Sequence, residues 1–191
     1  FFDGFRTSHE VQKIEAIEYD TFKELVDWEA IDAFRNRSLN PERPVLRGTA
    51  QNPDIFFQAK EAAAPYYKAL PEIVVDYMKK ISEITGRTYL PFNYYGADDA
   101  ERIIVAMGSV TDTIDETVDY LMEKGEKVGV IKVHLYRPFV ARYFMDVMPK
   151  AVKKIAVLDR CKEPGAPGEP LYLDIKDMFY GMEQAPQIVG G

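Results

Sequence analysis

A single cysteine, Cys161, occurs among the 191 residues. An internal disulfide is thereby excluded, and so is an iron–sulfur cluster drawing four cysteine ligands from this segment alone. Histidine is nearly as scarce, with two, and no second His or Cys lies at a spacing that would hold a metal. No apolar run approaches the roughly 20 residues that a membrane helix needs, and no charged-then-apolar leader precedes a small-residue cleavage site. The chain therefore reads as cytoplasmic, with no membrane partner. Basic clusters are limited to the pairs starting at Lys79 and Lys153, and 24 Lys and Arg against 31 Asp and Glu leave a net charge of −7. Nucleic acid is not an expected partner, because binding a phosphate backbone requires a concentrated basic face. What is present is ordinary: 47% apolar and 29% charged residues fit a folded chain rather than a disordered one. The length suits one domain with extra material, or two small ones.

The first third reads as helical pieces joined by turns. Phe22, Leu25 and Val26 share a helical face, and Thr21 with Glu24 has the spacing of a capping box. A second helix is expected from Trp28 to about Arg37, stopped by Asn40-Pro41-Glu42-Arg43-Pro44, where proline removes backbone donors and holds its predecessors extended. Asn52-Pro53 marks another helix start, with Pro65 expected to bend or end it. Pro71 then opens the clearest helix. Ile73, Val74, Tyr77, Met78, Ile81 and Ile84 keep one stripe apolar, and Gly86 provides the stop. Leu90–Glu101, with Pro91, Gly96 and Asp98-Asp99, reads as a linker.

Beyond it the period changes. Arg102–Met107 is a continuous β-rich run, as expected of a strand covered on both faces. Gly108-Ser109 ends it, and Val110, Ile114, Val118, Leu121 and Met122 recur at helical spacing, with Ser109 or Thr111 as cap and Lys124-Gly125 at the end. Lys127–Leu135 and Lys154–Asp159 are further strands. Val140 to about Met148 and Leu171–Met182 are helices, and Pro186–Val189 opens a fourth strand. Strands alternating with helices of about a dozen residues predict right-handed crossovers and an α/β three-layer sandwich on a mainly parallel sheet, preceded by a helical segment. The apolar stretches Phe1–Phe5 and Gln187–Gly191 read as strand remnants at the two ends, so the expectation is an internal piece of a longer protein.

Several segments together resemble one family. Phe1-Phe2-Asp3-Gly4-Phe5-Arg6-Thr7-Ser8-His9-Glu10-Val11-Gln12-Lys13-Ile14-Glu15 is similar to the signature closing the first domain of pyruvate:ferredoxin (flavodoxin) oxidoreductases. Ser38–Pro41, Leu46–Asp54 and Met107–Thr113 resemble later segments of that family in the same order. The resemblance implies that residues 1–70 are the tail of a thiamine-enzyme first domain. It implies that residues 71–191 are an α/β domain resembling the C-terminal domain of transketolases, with 71–100 as helix and linker and 101–191 as the β-α units. It further implies a full enzyme, a homodimer, that converts pyruvate and coenzyme A to acetyl-CoA and carbon dioxide and reduces ferredoxin or flavodoxin. Thiamine diphosphate, magnesium and 4Fe-4S clusters would be held by other domains of the same polypeptide, none by this segment. A transketolase or 2-oxoacid dehydrogenase type of thiamine enzyme, or a binding module acting alone, is the alternative.

The best local candidate for contact with the chemistry is Arg6, Thr7, Ser8, His9 and Glu10, which gathers a cation, two hydroxyls, an imidazole and a carboxylate at a strand end. The plainer account is a helix cap with a polar domain contact. Asp3-Gly4 with Asn36 superficially imitates the Gly-Asp-Gly and Asn pattern that holds magnesium on a diphosphate, but Phe2 replaces the leading glycine and a capped helix intervenes. Gly108-Ser109 offers a helix start without the several glycines of a phosphate-binding fingerprint. His134 reads as a hydrogen-bonded core residue, and Cys161 as an ordinary thiol with no base or resolving cysteine in register. Tyr136-Arg137-Pro138-Phe139 reads as a turn at a domain interface.

Overall fold

In the computed structural model the structure describes residues 9, 11, 13–46, 48 and 50–191. Two compact units are present, one of Val11–Ile73 and one containing Val74–Gly191.

In the first unit α1 spans Tyr19–Leu25 and α2 Trp28–Asn36. The expected Thr21–Glu24 capping box is not formed. Helix α1 starts three residues earlier, at Tyr19 after Glu18, with no side-chain cap, which puts Thr21 inside the first turn. The cap that does form is Asp27, whose carboxylate accepts from Ala30 N at 2.9 Å and opens α2. Helix α3 spans Pro53–Thr85 without interruption. The two helices expected on either side of Pro65 are thus one. Pro65 and Pro71 deprive the carbonyls of Glu61 and Tyr67 of their donors, yet both of those residues are exposed and water can serve instead. The alanine run before Pro65 adds helix propensity. Neither α1 nor α2 contains a buried residue.

The second unit is a five-stranded sheet in the order β1-β3-β2-β4-β5. The strands are β1 Phe92–Gly96, β2 Arg102–Ala106, β3 Val128–Val133, β4 Lys154–Val157 and β5 Gln187–Gly190. All adjacent pairs are parallel except β1 with β3, which is antiparallel from Phe92↔Val133 to Gly96↔Gly129. The expected linker therefore contains an edge strand. Its sequence hid this because the run from Pro91 to its closing Gly96 leaves a strand of only five residues, and its partner lies far along the chain. Gly96 (φ +136°) is required here, since a Cβ would come within 2.4 Å of Gly129 Cα and 2.6 Å of Val128 O.

Helix α4 (Val110–Glu123) connects β2 to β3, α5 (Ala141–Val147) connects β3 to β4, and α6 (Pro170–Met178) connects β4 to β5. The last two are shorter than the sequence suggests: α6 stops at Met178, with Phe179 at its C-terminal boundary rather than Met182. Side chains alternate along the strands and make two cores. Ile103, Val105, Ile131, Val133, Ile155 and Val157 pack with Phe144 of α5 and Leu171 and Ile175 of α6. Ala106 and Val130 pack with Ile114 and Val118 of α4 on the opposite face. Helices on both faces of a mostly parallel sheet make the three layers that the β-α alternation predicts. Phe92, Phe139, Phe144 and Phe179 lock the larger core through edge-to-face contacts, with centroids 5.5 to 6.4 Å apart.

Candidate functional site

Parallel α/β sheets present their ligand-binding loops at the carboxyl ends of the strands. In this sheet that edge is formed by the chain leaving β2 at Gly108, β3 at Tyr136 and β4 at Asp159, and by the end of β5 at Gly190. Asp159 is fixed by the start of α6: one carboxylate oxygen accepts from Leu171 N at 3.1 Å and the other from Tyr172 N at 3.0 Å. The two orphan donors of the first helical turn thus hold an anion at the positive end of the helix. Tyr172 fits because Gly168 and Gly190 flank its ring, where a Cβ would approach its atoms to 2.4 and 2.8 Å.

Beside it, Arg137 Nη2 lies 2.7 Å from Asp174 Oδ2 and 3.1 Å from Tyr136 Oη. The guanidinium also sits over the Tyr136 ring, 4.0 Å from its centroid. The approach to Asp174 is an ion pair rather than a well-directed hydrogen bond. Burial, reinforced by the Asp174 charge and opposed by Arg137, pushes the Tyr136 phenol up to about 12. Arg137-Pro138 is a cis peptide. Lys162 and Glu169 pair at 2.8 Å across the same loop, and that lysine holds the Glu169 carboxyl below its ordinary value. The arrangement is internally ion-paired, with Asp174 Oδ2 buried and held by charge alone. Its acids and bases are engaged with each other or with backbone donors, which suits a rigid rim more than a set of groups poised for proton transfer.

At the opposite, amino-terminal end of the strands, Lys127 pairs with Asp99 at 2.6 Å, Lys153 with Glu101 at 3.0 Å, and Arg102 with Glu126. The lysines depress the carboxyls of Asp99 and Glu101 through direct hydrogen bonds.

Of the residues singled out in the sequence, His9 is exposed, whereas Arg6, Thr7, Ser8 and Glu10 lie outside the described residues, as do Asp3 and Gly4. Asn36 is the exposed last residue of α2. Among the described residues no group of three or more His, Cys, Asp or Glu side chains is placed to hold a metal. Gly108 has φ +84° before α4, and Ser109 makes no side-chain cap hydrogen bond. Thr111 Oγ1 instead donates to Gly108 O at 2.9 Å. His134 is not a core residue: β3 ends at Val133, and the imidazole is exposed with Nδ1 3.0 Å from Leu90 O. Cys161 is an exposed free thiol. Asp159 and Asp174 were not legible as a pair of rim residues. The one available signal was Asp159 directly after a strand and ahead of Pro170, the first residue of a helix.

Fold and rim together define a three-layer α/β domain with an antiparallel edge strand and a closed, ion-paired carboxyl-end rim. Residues 100–191 match the family model described as pyruvate:ferredoxin oxidoreductase core domain II, and residues 1–79 match the one described as pyruvate flavodoxin/ferredoxin oxidoreductase, thiamine diP-binding. The chain belongs to the pyruvate:ferredoxin (flavodoxin) oxidoreductase family. It is 61% identical over 191 residues to a pyruvate-flavodoxin oxidoreductase of Enterobacter agglomerans and to a pyruvate:ferredoxin oxidoreductase of Moorella thermoacetica. In both cases the match takes in 100% of this chain and 16% of the relative. A solved 2-oxoglutarate:ferredoxin oxidoreductase from Magnetococcus marinus aligns at 16% identity with a TM-score of 0.37, over 59% of this chain and 18% of that one. So loose a likeness carries no functional weight.

Proposed function

We propose that this chain is an internal scaffold and interface region of an enzyme that oxidatively decarboxylates pyruvate with coenzyme A to acetyl-CoA and reduces ferredoxin or flavodoxin. The observation that carries the reading lies in Val11–Ile73. Tyr19, Phe22, Trp28, Phe34, Leu46, Phe56, Phe57, Tyr66 and Tyr67 are all exposed there, while α1 and α2 contain no fully buried residue. Apolar and aromatic surface on that scale is found where a protein meets another surface. Other domains of the same polypeptide are the partner, and the whole enzyme is a cytoplasmic homodimer. Residues 1–70 close a first, thiamine-type domain and 71–191 form the next. Thiamine diphosphate, magnesium and 4Fe-4S clusters belong to the remaining polypeptide.

A thermal-shift titration of the chain with thiamine diphosphate plus magnesium, and separately with coenzyme A, tests the scaffold role. No stabilisation is expected. A rise equivalent to about 2.7 kcal/mol, the value for a ligand at a hundredfold excess over its Kd, would sink it. Within this chain, Arg6, Thr7, Ser8 and His9 are the residues assigned nearest to the substrate. Replacing Arg6 by Gln in the whole enzyme should lower kcat/KM for pyruvate by about tenfold, the loss of a single charge-assisted contact of about 1.4 kcal/mol. Unchanged turnover removes the segment from the active site.

A further inference from the structure

The two faces of the sheet are unequally covered. Five strands at about 4.8 Å spacing are about 19 Å across, which accommodates two helices packed about 10 Å apart. On one face α5 lies against β1 and α6 against β4 and β5. On the other, α4 lies against β1 and β3, and within this unit no described element lies over β4 and β5. A groove of about 560 Å³ remains there, floored by Ile104, Ala156 and Val189 and walled by Ile114, Val118 and Leu121 of α4. Val189 is left 51% exposed, although it occupies the same face of the sheet as buried Ala106 and Val130.

We propose that this groove receives one amphipathic helix from elsewhere in the same polypeptide, lying beside α4 and antiparallel to the strands. This rests on the reading that the chain is part of a longer enzyme. Three observations select the occupant. The vacancy is one helix wide. The centre of its floor, Ile104, Ala156 and Val189, is apolar, with Arg102 and Lys154 confined to its amino-terminal end, and the small Ala156 allows close approach. Exposed Lys154 stands at the amino-terminal end of the strands on the groove wall, where an antiparallel helix would bring its carbonyl-rich C-terminus and favour a cation. The source is the same polypeptide because this chain makes up only 16% of the length of its relatives.

The test uses the complete polypeptide, prepared as a mixture of ¹⁴N- and ¹⁵N-labelled protein, with Val189 replaced by the photoreactive p-benzoylphenylalanine. Irradiation should join position 189 to a peptide outside residues 1–191 of the same isotopic label, with apolar residues at helical spacing. In a second variant, Val189→Glu, a buried charge should lower the melting temperature by at least about 5 °C. A cross-link of mixed label assigns the groove to a second copy and overturns the proposal. So does a cross-link found only within residues 1–191, the absence of any adduct, or a melting temperature unchanged by the glutamate. Pyruvate turnover is measured separately: its loss would bear on the enzyme reading, while the cross-link map is read whatever the turnover.

Discussion

Replacing Gly129 by Ala probes the joint between the antiparallel edge strand and the parallel sheet. A Cβ at position 129 would stand 2.3 Å from Tyr94 Oη, 2.6 Å from Cε2 and 2.7 Å from Cζ, so the tyrosine ring must leave its place on the strand pair. Two losses follow. Overpacking of this kind costs about 1–3 kcal/mol, and the Tyr94 hydroxyl loses its 2.5 Å hydrogen bond to Ala97 O, worth about 1 kcal/mol. The expected sum of about 3 kcal/mol corresponds to a fall in melting temperature on the order of 10 °C. The collision is with a side chain, so removing the ring should relieve it. Tyr94→Val combined with Gly129→Ala should be destabilised by less than the sum of the two single variants.

The phenol provides an independent readout. Burial first, then the charges of Asp98 and Asp99, push Tyr94 up to about 12 in the folded chain. A raised folded value favours the protonated form, so this contribution to stability is complete below the ordinary phenol pKa near 10 and is lost as pH rises from about 10 through about 12. In Gly129→Ala the displaced ring is solvated, and an absorbance titration near 295 nm should show one tyrosine ionising closer to its ordinary value. A Gly129→Ala chain that unfolds in urea within about 0.5 kcal/mol of the parent, the range of an inert surface change, with an unaltered tyrosine titration, would refute the close-approach account.

Phe144, fully buried and edge-on to Phe92 and Phe179, should cost about 3–5 kcal/mol when replaced by Ala, read by urea denaturation. Asp159→Ala removes the acceptors of Leu171 N and Tyr172 N and should cost about 1–2 kcal/mol, with faster amide exchange confined to the start of α6. Asp115→Ala strands Lys132, its partly buried ion-pair partner, at a cost of about 1–2 kcal/mol; pairing it with Lys132→Met should recover most of that in a double-mutant cycle. Asp99 and Glu101 have lowered folded pKa values, so their contribution is present above the ordinary carboxylate range and fades as pH falls through the folded values. An acid-denaturation curve should shift to higher pH in wild type, relative to its own low-salt curve, when 1 M salt screens these exposed pairs.

The β-α alternation was legible because β2, β3 and β4 are short, mainly apolar runs whose Ile103, Val105, Ile131, Val133, Ile155 and Val157 are buried in the larger core, and α4 repeats Ile114, Val118 and Leu121 along the stripe facing the sheet. What escaped depends on partners distant in sequence. β1 is a strand only because Gly129 leaves room for Tyr94 and Gly96 lets two backbones meet, which no local pattern of Phe92–Gly96 reveals. Helix α3 runs through two prolines because the carbonyls they orphan belong to exposed residues, and exposure is a property of the fold. His134 looked like a core residue from its apolar neighbours, but β3 releases the chain one residue before it.

The candidate site was less legible for a chemical reason. Ionisable residues in a catalytic centre are distinguished by what they lack, a partner supplied by substrate or cofactor. In the sheet domain the rim carboxylates find theirs within the chain: Asp159 in the α6 amides, Asp174 in Arg137, Glu169 in Lys162. Sequence shows the charges but not the pairing, so nothing in Asp159-Arg160-Cys161-Lys162-Glu163 reveals that Asp159 accepts from the α6 amides or that Lys162 holds Glu169. Pairing within the rim leaves its loops stiff and its charges neutralised, properties that favour docking against another domain, because a neutralised surface loses less hydration when water is excluded. Breaking Arg137–Asp174 by Arg137→Met would then leave Asp174 to be desolvated unpaired at such an interface, weakening docking in the whole enzyme more than it weakens folding of this domain.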